Sequence, residues 1–291
     1  MLMDPHLLRT FVAVSRLCSF SEAAAELGYT QSAVSQHIAA LEQDLGAALL
    51  TRRPVGPTPV GERLLEHAVP LLLRLDAARS DIERLVTAPS GEVALAVSPL
   101  AASLERLSAA WRPGRAFTVS VRPRLEVSAA VATGQADLGL VDGLAAPDDP
   151  LNLPDVGPLP TIAITQEPVA VLMPPGHPLA GRPGLRLADL AEARWIDATD
   201  TAVPLEALRA AVGSESFRPA LRYPCTDVLC LLRLVAGGHG LAVLPHRAEL
   251  SNGWTTAVPV TEPPLVHRTE LLHAATLSPA ARAAAEALTD G

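Results

Sequence analysis

The sequence predicts an α+β chain with an all-α head, a long linking helix and an α/β remainder. Three observations carry this. Ser19 to Leu45 reads as two helices joined by a tight turn at Gly28. Apolar residues from Leu64 to Leu85 recur at alternating spacings of four and three, the period of a helical seam. From Glu92 onward, short apolar runs alternate with helical stretches, which is the pattern of an α/β sheet.

Asp4-Pro5 is a helix start, with Asp as N-cap and Pro at the first helical position. Leu7, Leu8, Phe11, Val12, Leu17 and Cys18 supply the core side of that helix, and Cys18 is read as a packing residue. In the next helix Ser21 is the expected N-cap, and Ala23, Ala24 and Leu27 form a small apolar inner face. Gly28 suits the left-handed position that ends a helix. Thr30 then caps a helix whose apolar side is Ala33, Val34, Ile38, Leu41 and Leu45. Its other side opens with Gln31, Ser32, Ser35 and Gln36. These are short neutral donors and acceptors, suited to base edges and phosphates. An apolar back and a polar N-terminal front describe the recognition helix of a helix-turn-helix. On this stretch alone, a surface helical hairpin is the competing reading.

Gly46 to Gly61 reads as a short hairpin, or wing, with Arg52 and Arg53 near one end. Beside a helix-turn-helix these two cations point to phosphate or minor-groove contact. A long helix follows over Pro59 to Ala88. Its seam, Leu64, Ala68, Leu71, Leu75, Ala78, Ile82 and Leu85, predicts self-association, and Pro70 within it predicts a kink. A two-fold dimer would offer two recognition helices to two half-sites. Pro89-Ser90-Gly91 marks the end of the helix and a domain boundary.

Beyond it, strands are expected at Val93–Val97, Phe117–Val121, Leu138–Val141, Thr161–Thr165, Val169–Met173, Leu241–Leu244 and Thr269–His273. Helices are expected over Leu100–Trp111, Val127–Gly134, Ala188–Ala191, Leu205–Val212, Leu229–Ala236 and Pro279–Leu288. The alternation argues for a parallel-rich sheet.

The 291 residues include 23 arginines, no lysine and 31 Asp or Glu, for a net charge of −8. Residues 1–90 carry eight arginines against ten acidic residues. An acidic head counts against strong non-specific nucleic-acid binding, which rests on phosphate neutralisation. Three cysteines, Cys18, Cys225 and Cys230, make no disulfide framework. No apolar run approaches the ~18 residues of a membrane span, and no signal peptide is visible. A cytoplasmic protein is expected. There is no G-x-S-x-G, H-E-x-x-H or P-loop and no metal-ligand cluster, so neither enzyme nor metal or cofactor chemistry is expected.

The chain resembles the LysR-type transcriptional regulators over nearly its whole length. The residues that carry this are Leu8 to Val14, Ser19 to Ala24, Ser32 to Ile38, Leu41 to Gly46, Leu49 to Arg52 and Thr58 to Gly61. Further on come Gly134 to Leu140, His177 to Ala180 and Gly238 to Pro245. The resemblance implies a winged helix-turn-helix over 1–61, a dimerisation helix over 62–90 and an effector-binding domain over 91–291. That domain would be two-lobed and similar to periplasmic binding proteins, with lobe I over 91–160 and 264–291 and lobe II over 161–263. It also implies a homodimer, commonly a dimer of dimers, acting on double-stranded promoter DNA under control of a small molecule, typically a carboxylate. The expected DNA-facing set is Ser21, Thr30, Gln31, Ser32, Ser35, Gln36, Arg52 and Arg53. Two departures stand out. The wing is about two residues shorter than the family pattern, and Gln36-His37 stands where many members carry an arginine.

In such a fold the ligand lies between the lobes, near strand ends and helix N-termini. The expected effector-binding positions are Ser98, Pro99, Leu100, Asp142 and Gly143 from one lobe, and Thr199, Thr201 and Thr226 from the other. Cys225 and Cys230 do not match the spacing of peroxide-sensing relatives, and Cys230 is read as helix packing. The alternative function is a small-molecule sensor acting through protein partners, with weak or vestigial DNA binding.

Overall fold

The computed structural model describes residues 3–86, 91–111, 116–247 and 253–290. The chain divides into two compact units. One reaches Arg79 and includes Asp155–Gly157, and the other begins at Ser80. The boundary expected at 89–91 lies largely outside the described residues.

In the first unit, α1 (Pro5–Leu17) is capped by Asp4, whose carboxylate accepts from the His6 N–H at 2.8 Å. Cys18 ends it in the left-handed region (φ 51°) and is exposed, so it does not pack as expected. The position that closes the helix turns the side chain away from the core. In α2 (Phe20–Leu27) the cap is Ser19 rather than Ser21: its hydroxyl accepts from the Glu22 N–H at 3.2 Å. Phe20 is buried as the first helical residue, which draws the start of the helix forward and leaves Ser21 on its exposed side. Gly28 adopts φ 70°. Thr30 caps α3 (Gln31–Leu45), accepting from Ala33 N–H at 3.2 Å. Val34, Ile38 and Leu41 are fully buried, packed with Leu8, Phe11, Val14, Ala23 and Leu49. Each contributes roughly 1.5–3 kcal/mol through burial. Leu45 falls at the helix end and is exposed.

The wing is β1 (Leu50–Arg52) paired antiparallel with β2 (Val55–Pro57). It leads into α4 (Pro59–Val86), which runs through Pro70. The final turns of α4 belong to the second unit: Ser80 Oγ donates to the Thr133 carbonyl at 2.7 Å, and Arg84 to that of Val131 at 2.7 Å. These bonds explain why the division falls inside the helix.

The second unit runs β3 (Val93–Val97), α5 (Leu104–Ala110), β4 (Phe117–Val121), α6 (Arg124–Ala132), β5 (Leu138–Ala145) and β6 (Thr161–Met173). Then come β7 (Leu185–Arg186), a 3-10 turn at Leu187–Leu190, β8 (Trp195–Asp197), α7 (Leu205–Val212), β9 (Pro219–Arg222) and α8 (Val228–Ala236). It closes with β10 (Ala242–Pro245), β11 (Thr256–Glu262), β12 (Val266–His273) and α9 (Pro279–Asp290). The main sheet has the order β4-β3-β5-β12-β6-β11-β7, with β10 also on β6. It is mixed rather than parallel-rich, because β12 is antiparallel to both β5 and β6 while β10 and β11 are antiparallel to β6.

The two strands expected at 161–165 and 169–173 are one. Gln166, Glu167 and Pro168 stay paired, with Arg268, His267 and Val266 respectively. The first half of β6 lies on β12, and the second half lies between β10 and β11. A single strand therefore serves two hydrophobic clusters. One is built on Leu95, Leu138, Leu140, Leu271 and Leu288, the other on Val171, Met173, Trp195, Leu208 and Phe217. Residues 98–103 form turns ahead of α5, where helix was expected from Leu100.

Candidate nucleic-acid interface and effector site

Burial of Val34, Ile38 and Leu41 fixes the rotation of α3 and so decides which side meets solvent. Gln31, Ser32 and Gln36 are exposed there, and Ser35 is half-buried beside them. Thr30 Oγ1 and Ser32 Oγ are 3.0 Å apart, so the cap hydroxyl is engaged on its own helix. His37 leans the other way: its Nδ1 is 3.0 Å from Thr10 Oγ1, and its ring meets Tyr29 edge-on at 5.2 Å. At the other end of α3, Glu42 holds the wing. Its Oε1 accepts from the N–H groups of Leu49 at 2.9 Å and Leu50 at 3.3 Å. Arg52 lies 3.8 Å from the same carboxylate, with its guanidinium 5.0 Å over the Phe20 ring. Arg53 is exposed and makes no ion pair or hydrogen bond among the described residues.

The seven seam positions of α4 divide. Ala68 is fully buried in the core of the first unit and so is not free to meet another helix, while Leu64 is half-buried against that core. Leu71 (49% exposed), Leu75 (48%), Ile82 (63%) and Leu85 (69%) face outward, with Ala78 between them.

In the second unit the sheet brings four polar residues onto one face. Asp142 on β5 pairs with Thr269 on β12, which pairs with Thr165 on β6. Ser98, just past β3, joins the row through a hydrogen bond from its hydroxyl to the Asp142 carboxylate, and it accepts from the Asp142 N–H at 3.0 Å. His267, two positions along β12, puts Nε2 at 2.9 Å from Asp142 Oδ2. Arg124, the first residue of α6, donates to that same oxygen at 2.8 Å. Its guanidinium also donates to the carbonyls of Thr199 at 2.9 Å and Ala202 at 3.3 Å, beyond the chain's turn after β8.

Asp142 is fully buried. Burial alone would push its pKa up. The charge of Arg124 and the bonds from His267 and Ser98 outweigh this and hold the carboxyl far below the usual range. Around this ion pair, the hydroxyls of Thr201, Thr269 and Thr165 and His267 Nδ1 are buried without a hydrogen-bond partner among the described residues. The arrangement is a charged, hydrogen-bonding centre with acceptors and donors to spare.

The structure places Ser98, Asp142 and the Thr199 carbonyl at this centre, with Thr201 beside Ala202 in the segment that Arg124 reaches. It does not gather the rest in the same way. The Leu100 side chain is buried in the cluster of Ile196, Leu231 and Leu244, and its carbonyl accepts from Arg247 at 2.8 Å. Gly143 faces Leu151, whose Cδ2 would lie 2.8 Å from a Cβ placed there. Pro99 is a half-buried turn residue. Thr226 is a half-buried residue before α8, close to where the Tyr223 hydroxyl donates to the Asp227 carbonyl at 3.1 Å. Cys230 is half-buried in the first turn of α8, and its N–H donates to the Asp227 cap at 3.1 Å. Arg124 and His267 were missed. In sequence, an arginine opening a helix reads as a solvated charge, and a lone histidine on a strand carries no motif. The one available signal was Pro123, which sets the helix start and hence the direction in which Arg124 projects. No group of three or more His, Cys, Asp or Glu fit to hold a metal occurs among the described residues. Among them, no helix is long and apolar enough to cross a membrane.

Residues 5–62 match the bacterial regulatory helix-turn-helix protein of the lysR family, and residues 87–291 match the LysR substrate binding domain. The HTH-type transcriptional regulator CysL of Bacillus subtilis (strain 168) is 29% identical over 248 residues, covering 81% of this chain and 79% of that protein. The SDS degradation transcriptional activation protein of Pseudomonas sp. (strain ATCC 19151) is 33% identical over 254 residues, covering 83% and 79%. Among solved structures, HinK, a LysR family transcriptional regulator from Pseudomonas aeruginosa, superposes with a TM-score of 0.54 at 20% identity, covering 99% and 98%. Full-length CbnR complexed with its target DNA gives 0.51 at 19% identity, covering 98% and 99%. At these identities the likeness is one of fold.

Proposed function

As this chain belongs to the LysR family of DNA-binding transcriptional regulators with an effector-binding domain, we propose a specific division of labour among its residues. Gln31, Ser32, Ser35 and Gln36 of α3 read base edges in the major groove, with Ser21 and Thr30 flanking them. Arg53 meets the phosphate backbone. Arg52 joins it by exchanging Glu42 for phosphate. The observation that carries this is the fixed rotation of α3: its apolar residues are fully buried and its neutral polar residues exposed. Two chains, joined through Leu71, Leu75, Ala78, Ile82 and Leu85, present two such helices to a two-fold site, and pairs of dimers assemble on longer operators. We place this activity in the cytoplasm.

The effector is a small carboxylate that takes Arg124 from its backbone acceptors. A carboxylate is a stronger acceptor for a guanidinium than a peptide carbonyl. The hydroxyls of Ser98 and Thr201 supply further bonds. Because Arg124 joins α6 to the segment after β8, capture of Arg124 alters that junction, and this is the signal.

A gel-shift titration on the upstream region of the chain's own operon tests the DNA assignment. Gln36→Ala is expected to lose about 1–3 kcal/mol of discrimination at one base pair per half-site. Arg53→Ala is expected to weaken all sequences alike and lower the salt slope by about 1. Salt-insensitive binding, or variants indistinguishable from the parent, would overturn it.

A further inference from the structure

Beyond the Asp142 row, where β6 begins and β12 ends, these strand ends and α9 line an open groove of about 290 Å³. That is near the lower limit for small-ligand sites, which run ~300–1,000 Å³. Its apolar lining includes Ile162, Leu277 and Ala285. Ile162 is 39% exposed, an aliphatic side chain left open on a strand. Its polar lining includes Arg282 and Glu286, one helical turn apart on α9. Residues at this spacing sit about 5–6 Å apart at Cβ, close enough to pair. They do not pair here, and neither side chain has a hydrogen-bond or ion-pair partner among the described residues. His273 completes the ring: its Nδ1 is 2.8 Å from the Ala274 carbonyl, which leaves Nε2 as the free nitrogen.

From this lining we infer a second ligand site, for a small zwitterion of the aliphatic α-amino acid class. Arg282 takes the carboxylate, Glu286 the ammonium, and Ile162, Leu277 and Ala285 cover the aliphatic side chain. A simple carboxylate would leave Glu286 facing it as a like charge, and an amine would meet Arg282. The zwitterion satisfies both. The site lies where β6 begins and β12 ends: the His273 N–H donates to the Pro160 carbonyl at 3.2 Å, and Ile162 pairs with Leu271. β6 continues from there into the second hydrophobic cluster, so occupancy stiffens the base of a strand that serves both halves of the sheet.

Isothermal titration of the full chain with L-valine, L-leucine and L-methionine tests this, with N-acetyl-L-leucine and L-leucine amide as charge-deleted probes. At least one amino acid is expected to bind, and each charge-deleted probe at least tenfold more weakly. Arg282→Ala and Glu286→Ala, both at exposed positions, are each expected to cost at least tenfold. The double exchange Arg282→Glu with Glu286→Arg is expected to recover part of the loss. Failure of all three amino acids to bind overturns the inference. So does N-acetyl-leucine binding as well as leucine, or binding that both Arg282→Ala and Glu286→Ala leave unchanged, which would assign the ligand to another site.

Discussion

Arg124 Nη2 lies 2.8 Å from Asp142 Oδ2, and the same guanidinium reaches the Thr199 carbonyl at 2.9 Å. One side chain thus neutralises a fully buried carboxylate and ties α6 to the segment after β8. Removing either member of such a pair leaves the other charge buried without compensation, which costs more than the pair contributes.

Asp142→Asn is therefore expected to destabilise the chain by about 3–5 kcal/mol at pH 7, measured as a shift in urea midpoint. The pH dependence follows from the depressed pKa of Asp142. The unfolded state binds this proton near pH 4 and the folded state only in much stronger acid. The contribution is thus complete at neutral pH and is lost as pH falls through and below the ordinary carboxylate range. The parent and Asp142→Asn should converge in stability under strong acid. An undiminished gap there would show that the carboxylate's charge is not what stabilises.

Glu42 sets two features of the wing at once. It accepts from two backbone N–H groups of the strand and lies 3.8 Å from Arg52. Glu42→Ala leaves the N–H of fully buried Leu49 without its acceptor and is expected to cost about 1–3 kcal/mol in urea unfolding. Glu42→Gln keeps an acceptor oxygen and loses the charge. It should preserve most of the stability, release Arg52, and raise non-specific DNA affinity with a salt slope steeper by up to about 1. Equal losses of stability in Ala and Gln would remove the hydrogen-bond argument.

Gly61 is required by a close approach. A Cβ there would lie 2.1 Å from the Leu49 carbonyl oxygen, which is backbone and has no rotamer to change. Gly61→Ala forces the wing and the start of α4 apart. The expected loss is about 1–3 kcal/mol, despite the gain in helix propensity. A stabilised Gly61→Ala variant in thermal unfolding would show that this contact relaxes freely.

The first unit was nearly all legible in sequence, because its signals are local. Asp4, Gly28, Thr30 and the 3.6-residue spacing of Val34, Ile38 and Leu41 each act within one or two turns. The one cap misplaced, Ser21 for Ser19, turned on whether Phe20 packs inside the helix or before it, and burial decided that. In the second unit the unread strands were those without local pattern. Pro259 breaks the sequence pattern of β11 although the strand runs through it, Pro168 masks the continuity of β6, and β8 has only three residues, set by pairing with β9. At the Asp142 centre, Ser98, Thr199 and Thr201 were reached through the family resemblance. Arg124 and His267 are distant in sequence and meet Asp142 only through the register of β5 with β12 and the direction of α6.

Helix α4 yields the last prediction. Leu71, Leu75, Ile82 and Leu85 leave a row of large apolar side chains in solvent along one side of a helix. Burying a leucine contributes roughly 1.5–3 kcal/mol, so pairing the row in a second copy supplies a strong drive to associate. Ala68 cannot share in it, since its own domain already covers it, and Leu64 is partly taken up by the same core. The double substitution Leu71→Glu with Leu75→Glu is expected to give a monomer by light scattering at micromolar concentration, with unchanged far-ultraviolet circular dichroism because both positions are exposed in the single chain. Half-site binding should survive weakly, while binding to the two-fold site should fall by several orders of magnitude, since the second half-site is no longer tethered to the first. The matched change at Leu64→Glu should instead lower stability through loss of packing in the first unit. A stable dimer of the Leu71, Leu75 double variant would move the interface away from α4.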